Sequence, residues 1–244
     1  MSTPTIARRE CVRKDATPWC VARSFQAISA IPALLMGSEI AADHDMQSTV
    51  HAMPRLRVAA AADAAQIAAI YAPFCLETAV SFETTAPDEG NMRERISTLT
   101  QRYPWLVAVS ETGDVLGYAY ASKHRERAAY RWSVDFTAYL APEAKRRGIG
   151  TELYRALIKI CQSLGYYRAF AGITLPNEAS VRLHEKIGFR SIGVYRRVGF
   201  KLGEWHDVGW WSLDLLPEED APREPRSMPE IAASGELKEM LGGR

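Results

Sequence analysis

Two short segments of the 244-residue chain carry residue types that could do chemistry. The first is Lys145-Arg146-Arg147-Gly148-Ile149-Gly150-Thr151. Basic side chains lead into two glycines and then into an apolar run spaced as a helix. Glycine lets a backbone approach a ligand closely. A helix N-terminus adds unpaired N–H groups and the positive end of the helix dipole. Together these could hold a phosphate. The segment is neither a GxxxxGKS/T loop nor a GxGxxG fingerprint. Taken alone, an ordinary solvated basic turn explains it equally well. The second segment is Leu175 to Phe189, LPNEASVRLHEKIGF. Asn177 suits a helix N-cap, with Ser180 at the third helical position and His184 one turn further on. Taken alone, it reads more simply as a capped helix holding a satisfied histidine.

These segments need elements to position them. Leu56-Arg57-Val58 reads as a short strand. Ala61 to Leu76 reads as a helix, from Ile67, Ile70, Tyr71 and Phe74 at three- and four-residue spacing. Asp88 to Tyr103 repeats that pattern and ends at Pro104. Trp105 to Ser110 and Val115 to Ala121 form a hairpin about Glu111-Thr112-Gly113-Asp114. From Arg131 to Leu140 a period of two sends Trp132, Val134, Phe136, Ala138 and Leu140 to one face. It sends Ser133, Asp135, Thr137 and Tyr139 to the other. Ile149 to Leu164 is amphipathic, with Gly165 as its C-terminal cap. A strand over Tyr167–Thr174, a helix over Asn177–Ile187 and strands near Ser191–Gly199 and Trp205–Leu215 follow. The order β-α-α-β-β-β-α-β-α-β-β predicts an α/β (α+β) sandwich, a mixed sheet with helices on its faces.

Composition narrows the function. Lys+Arg 30 against Asp+Glu 29 gives a net charge of +1, which argues against a nucleic-acid binder held by bulk charge. No apolar run approaches the roughly 20 residues that span a bilayer. Cys11, Cys20, Cys75 and Cys161 show neither CxxC nor metal-ligand spacing, which suits reduced, cytoplasmic thiols and no metal. Residues 1–54 differ from the rest. A basic start and an apolar stretch from Phe25 to Met36, broken by Pro32, fit a signal peptide or an organellar presequence poorly. A disordered extension, or a start placed upstream of a true Met53, fits better. From Pro217 the chain is rich in Pro and charge, and residues 217–244 are expected to form a mobile tail, with a short helix possible at its end. The folded domain is placed at 55–216.

In their order and spacing, the two segments resemble the GNAT acetyltransferase superfamily. Its acetyl-CoA loop has the form R/Q-x-x-G-x-G/A, here led by Lys145. The later pattern N-x-x-S/A-x-x-x-Y/H-E-x-x-G-F/Y is complete. A closer resemblance, to the phosphinothricin N-acetyltransferase branch, is carried by ETAVSFET (Glu77–Thr84), RYPWLVA (Arg102–Ala108) and AYRW (Ala129–Trp132). Leu175-Pro176-Asn177 and GFKLGEWHDVGWW (Gly199–Trp211) extend it. The resemblance spans nearly all of 55–216 and neither end. It implies a mixed, mostly antiparallel sheet of about seven strands flanked by about four helices.

The resemblance also implies direct transfer of acetyl from acetyl-CoA to a primary amine. An α-ammonium with a pKa of roughly 8 must first lose a proton. In this branch the base is a Glu on the strand before the CoA loop, and Asp135 holds that position here. An Asp is one methylene shorter and can act through a bridging water. Backbone groups of Ala138, Tyr139 and Leu140 are expected to hold the pantetheine arm as an added strand. The Leu140 N–H is expected to polarise the thioester carbonyl. The pyrophosphate falls to Arg146, Arg147, Gly148, Ile149, Gly150 and Thr151. Asn177 is assigned to the pantetheine and Lys186 to the nucleotide phosphates. His184 is the candidate acid for the leaving thiolate, whose pKa of about 8.5 leaves little need for one. Arg125 and Arg131 are expected to clamp the acceptor's carboxylate and oxygen-rich head, between walls formed by Phe82 and Trp132. Phe136, beside Asp135, is expected to shift acceptor preference. Trp205, His206 and Asp207 lie on the final hairpin, which in relatives helps build a homodimer and close the acceptor site. The leading function is acetylation of phosphinothricin- or methionine sulfoximine-like amino acids. The alternatives are an unrelated amine or peptide N-terminus, and a non-catalytic acyl-CoA sensor.

Overall fold

The computed structural model describes residues 54–241. The expectations for residues 1–53, including a start at Met53, lie outside the described residues. Seven strands form one sheet: β1 (Arg55–Val58), β2 (Trp105–Val109), β3 (Val115–Lys123), β4 (Ser133–Leu140), β5 (Arg168–Leu175), β6 (Arg190–Lys201) and β7 (Glu204–Asp214). They lie in the order β1-β2-β3-β4-β5-β7-β6. All pairs are antiparallel except β4 with β5. Helices α1 (Ala64–Leu76) and α2 (Glu89–Leu99) cover one face. On the other lie α3 (Ile149–Leu164) and α4 (Glu178–Lys186). No described helix is long and apolar enough to cross a membrane.

Local chemistry sets these boundaries. The Asp88 side chain accepts from the Asn91 N–H at 2.7 Å and starts α2. Gly165 takes φ +90° and ends α3, as the sequence suggests. On α3, Ile149, Leu153, Leu157, Ile160 and Leu164 are all buried, the stripe that 3.6-residue periodicity demands.

The junction of β4 with β5 shapes everything that follows. β3 pairs with β4 from Val134 to Leu140, whereas β5 pairs with it only over Ser133, Val134 and Asp135. Beyond Asp135 the two parallel strands part. The β5-facing edge of Phe136–Leu140 is therefore left without a strand partner.

The C-terminal segment departs from the expected mobile tail. It forms α5 (Met228–Ala233) and α6 (Glu236–Met240). Met228 and Ile231 enter the core beneath α3, at 4% and 0% exposure. Ser227 and Glu230 form a capping box. The Arg226 guanidinium donates to the Ser163 carbonyl and to Glu236. The prolines suppress regular structure up to Arg226. They do not stop Met228, Ile231 and Leu237 from covering an apolar flank of α3.

Candidate active site

The parting strands form the site. Asp135 is the last β4 residue paired with β5, opposite Phe170, and it faces Ser122 on β3. Its side chain is three-quarters buried, 25% exposed. Burial raises its carboxyl above the usual carboxylate range, and a hydrogen bond from His124 partly offsets this. His124 Nδ1 lies 2.6 Å from Asp135 Oδ1. The sequence assigned no role to His124. Its only signal is register: β3 ends at Lys123 opposite Val134, so the next residue lies beside the strand that carries Asp135.

Asp135, Thr137 and Tyr139 share the α1 face of β4, as the period of two requires. Tyr139 packs edge-on to Tyr71 of α1 at 4.8 Å. Phe136 points the other way, buried against Tyr154 and Phe189 at 5.8 and 6.0 Å. It does not line the acceptor face, so the expected influence on acceptor preference is withdrawn. Beneath the acceptor face, Tyr71 Oη is 2.6 Å from Ser81 Oγ and donates to Glu83, which Arg95 holds at 2.7 Å.

Of the two expected clamp arginines, the structure brings only Arg125 to the site. Its guanidinium lies 5.2 Å over the Trp210 ring and donates to the His124 carbonyl at 2.8 Å. Arg131 is ion-paired with Glu224, and the Trp132 indole N–H donates to the Arg223 carbonyl at 2.8 Å. Both precede the first residue of β4, and the C-terminal segment holds their polar groups in place of the expected acceptor. Phe82 sits against the β6–β7 ribbon, where any Cβ at Gly199 would meet its ring at 2.1 Å.

The loop into α3 fits an anionic ligand. Arg146 and Gly148 adopt left-handed backbone conformations, φ 62° and 81°. Among the described residues, the N–H groups from Arg146 to Gly150 donate to no protein acceptor. Successive free N–H groups at a helix start make an anion cradle, which suits the pyrophosphate of acetyl-CoA. A Cβ at Gly150 would crowd Leu183 at 3.2 Å, while one at Gly148 would meet open space. Arg146 is exposed, Thr151 is buried in the first turn, and Ile149 anchors the loop in the core. Arg147 turns to a cavity of about 640 Å³ shared with Arg55 and Arg57.

Across the split, Asn177 caps α4 by accepting from the Ser180 N–H at 3.2 Å. It borders a cavity of about 660 Å³ that also touches Arg182, Trp205 and Asp207. Lys186 is exposed at the end of α4. His184 is buried, with Nε2 3.0 Å from Tyr154 Oη and Nδ1 2.8 Å from the Ser180 carbonyl. Burial lowers its pKa. Both nitrogens have partners, and the ring packs between α3 and α4.

A sheet parted at its single parallel junction, with an N–H cradle on the next helix, defines an acyl-CoA transferase fold. Residues 56–210 match the family described as an acetyltransferase (GNAT) domain, and the chain belongs to that family. It is 40% identical over 171 residues to the phosphinothricin N-acetyltransferase of Streptomyces viridochromogenes, covering 70% of this chain and 93% of that one. It is 34% identical over 168 residues to the L-methionine sulfoximine/L-methionine sulfone acetyltransferase of Pseudomonas aeruginosa, covering 68% and 98%. A crystal structure of a phosphinothricin acetyltransferase from Sinorhizobium meliloti in complex with acetyl-CoA superposes with a TM-score of 0.67. Its sequence is 39% identical, covering 70% of this chain and 94% of that one.

Proposed function

We propose that the protein acetylates the α-amino group of phosphinothricin- and methionine sulfoximine-like amino acids, by direct attack in a ternary complex with acetyl-CoA. The observation that carries this reading is the parting of β4 from β5 at a buried carboxylate, Asp135. Acetyl-CoA supplies the acetyl group as a thioester. The free edge of Ala138, Tyr139 and Leu140 receives the pantetheine as an added strand. The Leu140 N–H donates to the thioester oxygen as charge builds there. The N–H cradle from Arg146 to Gly150 holds the pyrophosphate, beside Thr151 and assisted by Arg147 and Lys186, and Asn177 meets the pantetheine. Asp135 draws the proton off the ammonium, directly or through a group it holds. Arg125 clamps the acceptor's anionic end. The named substrates of the relatives at 40% and 34% identity support this acceptor class.

We place the protein in the cytoplasm as a homodimer. Cys75 and Cys161 are free and buried, which suits a reducing compartment. The edge strand β6 exposes Ile192, Val194, Val198 and Phe200, and Trp205 extends this strip onto β7. A long apolar edge strand calls for a cover.

The test is thiol release from acetyl-CoA against phosphinothricin, methionine sulfoximine, methionine sulfone, ordinary amino acids and a short peptide. Preferential turnover of the first three supports the proposal. Turnover of the peptide alone overturns the acceptor class, and tight acetyl-CoA binding without any turnover points to a sensor.

A further inference from the structure

Resting on the acetyltransferase reading above, we infer that His124 Nε2 takes the proton from the acceptor ammonium, with Asp135 as the residue that positions the imidazole. Asp135 Oδ1, 2.6 Å from Nδ1, accepts the Nδ1 proton and fixes the tautomer that leaves the Nε2 lone pair free. Among the described residues Nε2 has no hydrogen-bond partner, yet it is not a buried orphan. The His124 side chain keeps 10% exposure. The imidazole therefore presents one open nitrogen at the point where β4 leaves β5.

The ring is held on three further sides. It stacks on Phe170 of β5 at 4.1 Å and 14°, and meets Tyr130 and Trp210 edge-on at 5.9 and 6.2 Å. Stacking removes the rotational freedom that a general base must otherwise lose on reaction. The same surroundings suit the imidazolium that forms. Asp135 offers a charge-assisted hydrogen bond, and the Phe170 face attracts a cation. The other groups facing the ring are the Arg125 guanidinium, stacked on Trp210, and the Tyr130 phenol. Lys123 and Glu126, which flank His124 in the chain, are paired with each other. His184 cannot take this role, because Tyr154 and Ser180 occupy both of its nitrogens.

The step balances. One ammonium proton passes to Nε2, giving imidazolium. The freed amine pair forms the N–C bond at the thioester carbonyl carbon. The C–S bond breaks, and its electron pair leaves on sulfur. The nitrogen's second proton goes to the thiolate, giving free CoA, and the imidazolium proton is released to water. Per turnover one amide, one thiol and one proton appear.

The test compares kcat/KM for phosphinothricin between pH 6 and 9.5 in the unaltered protein, His124→Phe and His124→Gln. Acetyl-CoA binding by calorimetry reports the fold of each. We expect both variants to bind acetyl-CoA within about twofold of the unaltered protein. At pH 7 kcat/KM should fall about 100-fold or more. The deficit should shrink to under about tenfold at pH 9.5, where an amine with a pKa of roughly 8 deprotonates unaided. A purely structural role gives a deficit that does not change with pH. Such a constant deficit, or none, overturns the inference while leaving the acetyltransferase reading intact. If the unaltered protein turns over no amine, both fail together.

Discussion

Ile231→Ala measures whether the C-terminal segment is part of the folded domain. Ile231 is 0% exposed, inside the core that includes α3. The substitution removes three buried carbons, about 2.4 kcal/mol at roughly 0.8 kcal/mol per methylene. The cavity left under α3 adds to this, and large-to-small core changes cost about 2–5 kcal/mol in total. We take about 3 kcal/mol. With a urea slope of about 2 kcal/mol/M, the unfolding midpoint should fall by about 1.5 M. Urea denaturation followed by tryptophan fluorescence reads this directly. Lys238→Ala, on α6 with no buried side chain, is the control and should not move the midpoint. If Ile231→Ala behaves like Lys238→Ala, the segment is not packed against α3 and residues 217–244 form the mobile tail that their composition suggests.

Asp135→Asn should lower kcat by about 100-fold or more, with acetyl-CoA affinity nearly unchanged in calorimetry. Its effect on stability has the opposite sign. A carboxyl whose folded pKa is raised destabilises the fold once pH rises through that pKa. The variant should therefore match or exceed the unaltered protein in thermal midpoint at pH 7 and lose that advantage in acid. Gly148→Ala places a Cβ on a left-handed residue, φ 81°, with open space around it. The strain of about 1–2 kcal/mol should shift the loop and weaken acetyl-CoA binding by roughly tenfold. Phe200→Asp should convert the proposed dimer to a monomer in analytical ultracentrifugation, and a dimer that persists removes β6 from the interface.

Much of the fold was written in local pattern. The period of two in β4 placed Asp135 and Tyr139 on one face and Phe136 on the other, as observed. The same period already contradicted a role for Phe136 beside Asp135, because adjacent strand residues point apart. The caps Asn177 and Gly165 were legible because their chemistry is local. Whatever depended on distant pairing was not. His124 meets Asp135 only through the register of β3 with β4. Arg131 and Trp132 are held by Glu224 and Arg223, some ninety positions away. The docking of Met228 and Ile231 depends on an apolar flank of α3 that proline-rich composition cannot reveal.

Direct transfer is the central claim, and a single-turnover experiment tests it. The protein is mixed with an equal amount of isotope-labelled acetyl-CoA, first alone and then with phosphinothricin. Intact-protein and small-molecule mass spectrometry follow the label. The account predicts an unlabelled protein at every time point and all transferred label on the α-nitrogen of phosphinothricin. Labelled protein that forms before the product and then decays would contradict direct attack and place an acyl-enzyme on the path.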